Sequence, residues 1–430
     1  MASALDHICG IHKYSTDSTK AVYAELHCVD DFIVEEILKD GTIISVDDPK
    51  LRPSGYPGLF THFILVKRNM DTLIAIKILS KRLNVPSNFF FLSGLKDKEA
   101  LTAQRACVFN VPPENLVSLK LPKNMKIYNP IRELRRISVG DHQGNRFRIR
   151  LRNVLGCLED VFHEIVKEPI LNFFGHQRFG IWKPINHIVG KMILLGLYEE
   201  ALMTFLREVN PLFPNREAFI DLLEERKYGD ALKLLPARKF WLERLVLRGL
   251  TKGVDPIKIL RYMPQGLLRL VVEAYQSFLF NLLLSELEDP PRKLPLVGHK
   301  LNLETLDSKT ASAIKEILDG EGISPKDFKV TCAKLEISRG GFRVSRILLK
   351  DPALRKEGGR DYLVMFSLPK GSFATIVLRE IAKENLVQLL LGRRKSSSIE
   401  TARIFREMNN YYLAIVRKYF VGSNLQNFTV

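Results

Sequence analysis

The rhythm of apolar and polar positions changes near residue 183 and again near residue 364, and each stretch predicts a different kind of structure. The first stretch is strand-rich. Residues 20–40 read as a short strand region with an acidic exit, Asp30-Asp31-Phe32-Ile33-Val34-Glu35-Glu36, and residues 60–68 alternate as a strand does. A helix is expected to open at Asp71, with Leu73, Ile76, Ile78 and Leu79 on its apolar side. The run Asn88-Phe89-Phe90-Phe91-Leu92 predicts a buried strand, and Gln104–Asn110 another. The cleanest alternation is Asn145–Arg152. Phe147, Ile149 and Leu151 face one way; Arg146, Arg148, Arg150 and Arg152 face the other. Such a face can be simply solvated, but four like charges in a row repel one another, which favours an anionic partner or covering acidic residues. Leu158, Val161, Phe162, Ile165 and Val166 then follow helical spacing.

Between about 183 and 364 long helical patterns come first: Glu199–Val209, Arg216–Glu225, Phe240–Gly249 and a helix around Leu267–Leu287, stopped by Pro290-Pro291. Shorter strand-like pieces such as Phe342–Leu349 follow. This block reads as a separate or inserted domain. Strand character returns at Tyr362–Leu368, a helix is expected over Ser372–Glu380, and the tail beyond Asn385 reads as helical, with a basic knot at Arg393-Arg394-Lys395 beside Ser396–Ser398, read as a solvated helix end.

At 430 residues the chain is too long for one ordinary core, and two or three domains are expected. Its net charge of +17 favours a polyanionic partner, RNA or DNA, over a small neutral substrate. The five cysteines are scattered, with no CxxC pair and no Cys/His cluster, so neither zinc nor a disulfide framework is expected, and a reducing, cytoplasmic setting is. The N-terminus lacks the charge and apolar run of a signal peptide, and no membrane span is expected.

Five segments carry the candidate chemistry. Ser93-Gly94-Leu95-Lys96-Asp97-Lys98-Glu99-Ala100-Leu101-Thr102-Ala103-Gln104 puts one aspartate between two lysines in a turn after a buried strand, which suits a reactive side chain at a cleft edge. Gly144–Arg152 is the arginine strand. Asn172-Phe173-Phe174-Gly175-His176-Gln177-Arg178-Phe179-Gly180 joins aromatic, amide and guanidinium groups in one turn, a set able to stack a nucleobase, read its edge and meet its phosphate. Phe173 reads as core. Ala274–Asn281 lies on a buried helix, and Leu368-Pro369-Lys370-Gly371-Ser372-Phe373-Ala374-Thr375 is a strand-to-helix junction.

In order and in detail these segments resemble the TruD family of pseudouridine synthases, with its GxKDxxAxTxQ, GNxFxIxLR, NYFGxQRFG, LFN-helix and LPxGSFAT motifs. The resemblance spans roughly residues 30–380, and the acidic DFxVEE opening matches at Asp31–Glu36. Length and helical block are more like the archaeal or eukaryotic branch than the bacterial one, with archaeal preferred. It implies an α+β fold: a pseudouridine synthase catalytic domain on a mixed, largely antiparallel sheet, residues 1–182 and 365–430, with a TRUD-type α/β insertion at 183–364, together V-shaped around an RNA cleft. It implies isomerisation of uridine to pseudouridine in folded RNA, most often at tRNA position 13, with no cofactor and no metal. Asp97 would be the catalytic aspartate, Phe174 would stack the base and Asn172 orient the site. Lys96, Gln104 and Arg178 would join the substrate site. Arg146, Arg148, Arg150, Arg152 and Arg178 would meet RNA phosphates.

The residues agree with that chemistry: no GxGxxG, GxxxxGK[ST] or HExxH occurs. An aspartate in water is ionised at neutral pH, fit to act as nucleophile or base. Two departures stand out. Leu26 replaces the usual Lys or Arg five residues before the Asp of the DF pair, and Val29 replaces Pro. Lys96 or Lys98 is the expected substitute cation. The alternative reading is a catalytically weak RNA-binding or RNA-folding protein on the same scaffold.

Overall fold

Residues other than Met1, Ser18, 53–56, Arg238, 330–338, 392–397 and 421–430 are described by a computed structural model. The basic knot at 393–397 therefore lies outside the described residues. Thirteen strands occur among the described residues: β1 Tyr23–Glu25, β2 Phe32–Leu38, β3 Phe60–Arg68, β4 Phe90–Leu92, β5 Leu101–Phe109, β6 Met125–Glu133, β7 His142–Leu155, β8 Ile170–Leu171, β9 Lys293–Leu296, β10 Gly341–Val344, β11 Arg346–Ile347, β12 Lys350–Gly358 and β13 Asp361–Pro369.

The chain packs as two compact units. Residues 19–170 and 347–397 form one; residues 1–18, 171–346 and 398–430 form the other. These boundaries fall elsewhere than the expected 1–182 plus 365–430 against 183–364. β12 hydrogen-bonds to β13 from Lys350↔Ser367 to Gly358↔Asp361, which ties 350–358 to the sheet. At the other boundary, Asp6 in the N-terminal helix Ala4–Ile8 pairs with His176, which places both the N-terminus and the aromatic turn in the helical unit.

The sheet unit has nine strands in the order β12-β13-β7-β2-β5-β3-β6, with β1 beside β7 and β4 beside β5. Among the described residues of this sheet only β2–β5 pairs in parallel, so the sheet is mixed and largely antiparallel as expected. β3 is buried on both faces. Phe63 and Leu65 pack with Ala75, Ile76 and Leu79, whereas Ile64 and Val66 join Leu38, Ile44 and Ala103. The helix Thr72–Leu83 starts where expected because the Asp71 carboxylate accepts from the Leu73 and Ile74 amides, a cap worth about 1 kcal/mol. Its buried stripe is Thr72, Ala75, Ile76 and Leu79; Leu73 points outward at 60% exposed. Gly144 lets β7 approach β13, since a Cβ there would meet the Leu368 carbonyl oxygen at 2.1 Å.

The helical unit is built on the helix Gln265–Glu286. That helix is long and apolar enough to cross a membrane, but 72% of its apolar window is buried inside the protein, so it is a core helix. It packs on Asn186–Leu194 so closely that a Cβ on Gly190 would lie 2.1 Å from the Val271 carbonyl oxygen.

Candidate active site

The Asp97 loop runs from the end of β4 to the start of β5, and buried polar groups fasten it to the sheet. Glu36 and Asn145 are cross-strand partners on β2 and β7 and therefore share a face. Lys96 reaches both: its Nζ lies 3.1 Å from Glu36 Oε1 and donates to Asn145 Oδ1 at 2.8 Å. Both charged side chains of this pair are buried, 3% and 0% exposed. Glu36 also accepts from the Ser93 hydroxyl and, at 2.8 Å, from the Arg105 amide. Gln104 is fully buried and donates from Nε2 to the Gly94 carbonyl at 3.0 Å. The loop's backbone is thus pinned at Ser93, Gly94 and Lys96. Asp97 itself is half-buried, and among the described residues its carboxylate makes no ion pair.

Lys67 is the residue that sequence reasoning missed. It lies on β3, is fully buried, and donates from Nζ to the Asp97 carbonyl at 2.6 Å and to the Lys96 carbonyl at 3.3 Å. Burial pushes its ammonium down to about 8, with Asp97 and Asp71 opposing the shift. A signal for it exists in the period of two: Lys67 shares a strand face with Phe63 and Leu65, both core residues. The expected substitutes for Leu26 are placed otherwise. Lys96 is taken up by Glu36 and Asn145, and Lys98 is exposed. Leu26 is fully buried.

Beside the loop runs a cleft of about 550 Å³, lined in part by Phe90, Phe91, Leu95, Arg136, Ile137 and Val139. The Arg136 guanidinium lies over the Phe91 ring at 5.6 Å. Cation and aromatic faces of this kind suit a nucleobase and its phosphate.

The aromatic turn of the helical unit is equally well held. Phe173 is fully buried and Phe174 half-buried, so the core role expected of Phe173 is observed. Asn281 clamps the Phe174 backbone, accepting from its amide at 2.8 Å and donating to its carbonyl at 3.1 Å. Asn172 donates to the Val344 carbonyl at 2.9 Å and accepts from Arg343 at 2.8 Å. The Arg343 guanidinium also lies 4.0 Å from the centre of the Phe174 ring. One face of the candidate stacking ring therefore already carries a cation, a feature the sequence motif did not show. Arg178 pairs with Glu273 at 2.9 Å. Asp97, Lys96 and Gln104 thus belong to the sheet unit, and Asn172, Phe174 and Arg178 to the helical unit.

The arginine strand is met by acidic side chains. Arg146 pairs with Glu35 at 2.6 Å, and Arg148 with Glu35 at 3.5 Å and with Asp47. Arg150 pairs with Glu357, and Arg152 with Asp31 at 3.0 Å and Asp361 at 2.8 Å. Hydrogen bonds from Arg150 and Arg152 hold Glu357 and Asp361 below the usual carboxylate range. Of the two ways to relieve this face, the chain uses acidic cover from β2, β12 and β13. Arg146, Arg148, Arg150 and Arg152 thus form an ion-pair ladder within the chain, each still about a quarter to a third exposed.

Among the described residues no group of three or more His, Cys, Asp or Glu side chains is placed to hold a metal, and Cys28, Cys107 and Cys157 are free thiols. The family model for tRNA pseudouridine synthase D (TruD) matches residues 9–291 and 290–381. The chain belongs to the tRNA pseudouridine synthase D family. Its activity class is accordingly that of a pseudouridine synthase, an isomerase acting on tRNA. Relatives include the probable tRNA pseudouridine synthase D of Pyrobaculum islandicum, 31% identical over 89% of this chain and 97% of its own length. That of Methanopyrus kandleri is 35% identical over 77% of this chain and 88% of its own length. The fold matches the crystal structure of the putative tRNA pseudouridine synthase D from Methanosarcina mazei, with TM-score 0.67, 24% identity, and coverage of 90% of this chain and 99% of that one. These relatives are archaeal, in line with the branch preferred from length and helical block.

Proposed function

We propose that this enzyme isomerises the uridine at tRNA position 13 and that Asp97 is the group that does so. The observation that carries the reading is the asymmetry at Asp97. Its backbone carbonyl is held by a buried lysine, and the residues before it are pinned to the sheet, while its carboxylate is unpaired among the described residues. A carboxylate fixed in place but not neutralised is available to a substrate. The reaction breaks the N1–C1′ bond, turns the uracil and joins C5 to C1′; the proton leaving C5 is balanced by one gained at N1. No redox step or group donor enters.

The target base must leave its stack, at a cost of about a few kcal/mol. Phe174, its backbone fixed by Asn281, is the ring we assign to stacking the base, and Asn172, held by Val344 and Arg343, orients its turn. The cleft at Phe91 and Arg136 gives RNA a second aromatic and cationic surface beside the catalytic loop.

The test is release of tritium from tRNA labelled at uridine C5, followed by mapping of the modified position. Release with pseudouridine at position 13 is expected. Release with the product elsewhere refutes the target. RNA binding without release from any tRNA would favour a binding or folding protein.

A further inference from the structure

Among the described residues, Lys67 is the one buried cation of the sheet unit whose hydrogen bonds all go to the catalytic loop. Its Nζ meets two backbone carbonyls there, those of Asp97 at 2.6 Å and Lys96 at 3.3 Å, and no described carboxylate lies within ion-pair distance. Burying an ammonium costs several kcal/mol unless opposite charge is close. The carboxylates that favour its charged form are those of Asp97 and Asp71, the cap of the next helix, and the cation that opposes it is Lys96. On the flanking strands its paired residues are Thr102 and Met125, both uncharged. The side chain therefore has no task visible in the sheet itself. Its contacts lie along the backbone that presents Asp97.

We propose that Lys67 is a positioning residue of the isomerisation, holding the Asp97 backbone through its carbonyl and supplying a positive charge that orients the Asp97 carboxylate towards the substrate. The proposal rests on Asp97 being the catalytic group. Two consequences separate it from a structural role. The loop must be held in one place, so loss of the hydrogen bonds lowers kcat more than it raises KM. The charge must be present, so activity is full below about pH 8, where Lys67 is protonated, and falls as pH rises through that value.

The experiment measures tritium release by the wild type, Lys67→Met, Lys67→Arg and Asp97→Asn from pH 6 to 9.5, with thermal stability and tRNA affinity measured alongside. Lys67→Met is expected to lose about a hundredfold in kcat, the cost of a small misplacement of a reacting group, with KM within about threefold. Lys67→Arg, which keeps its charge at all these pH values, is expected to recover activity and to lack the fall near pH 8. Wild-type kcat in a folded Lys67→Met overturns the proposal, as does an unchanged alkaline fall in Lys67→Arg. If Lys67→Met does not fold, the pH profile of Lys67→Arg decides alone. Turnover by Asp97→Asn would instead overturn the catalytic role of Asp97, whereas a dead Asp97→Asn beside a fully active Lys67→Met removes only Lys67.

Discussion

The arginine ladder of β7 and the lysines beneath the Asp97 loop are both dense in positive charge, yet they do opposite things. Every arginine of the ladder meets a carboxylate, so the ladder is nearly neutral and closes on itself. Beneath the loop, Lys96 is paired with Glu36 but Lys67 spends its hydrogen bonds on backbone carbonyls, and the nearby carboxylate of Asp97 has no ion-pair partner among the described residues. The lesson concerns what a net charge of +17 means. A run of cations in the sequence identifies a nucleic-acid surface only where the fold does not already bring carboxylates to it. Asp97, by contrast, is fixed by its neighbours without an ion-pair partner among the described residues.

The sharpest way to break this comparison is Asp97→Asn, which keeps the shape of the side chain and removes its charge. Turnover should fall by about 10²–10⁴-fold, read as tritium release at saturating tRNA. Next comes Glu36→Ala. It strands the Lys96 ammonium in a buried site, and urea denaturation should show about 3–5 kcal/mol of lost stability. If the loss is under about 1 kcal/mol, the loop is not pinned as described. Phe174→Ala should cost about 1–3 kcal/mol in kcat/KM through lost stacking; an unchanged value would make Phe174 a core residue. The smallest effect belongs to the ladder. Arg148→Ala leaves Glu35 paired with Arg146, so stability should change by about 0–1 kcal/mol and the salt dependence of tRNA binding should stay the same. A shallower slope, by about one phosphate contact, would return the ladder to RNA.

Much of the fold and of the site is legible in the amino-acid sequence. The period of two at Asn145–Arg152 marks β7, and Asp71 marks a helix start, because alternation and capping are local effects. The Lys96-Asp97 loop and the Asn172–Gly180 turn stand out as motifs. What escapes is long-range. Glu357 and Asp361 lie some two hundred residues from the arginines they cover, so the ladder's neutrality cannot be read from β7 alone. Arg343 reaches Asn172 across a similar gap. The unit boundaries also depend on pairing, β12 on β13, which a change in helical pattern at residue 364 does not reveal. Lys67 is the exception: its place on the Phe63 and Leu65 face is visible in the alternation, and only the habit of treating lysine as surface hides it.

The central claim is that Asp97 performs the chemistry and does not merely help to hold RNA. Single-turnover tritium release from tRNA already bound to excess enzyme tests it most directly, because binding is complete before the reaction is followed. The account predicts release by the wild type and none by Asp97→Asn, with the two proteins binding tRNA within a few fold of each other. Release by Asp97→Asn at a rate near that of the wild type would contradict it.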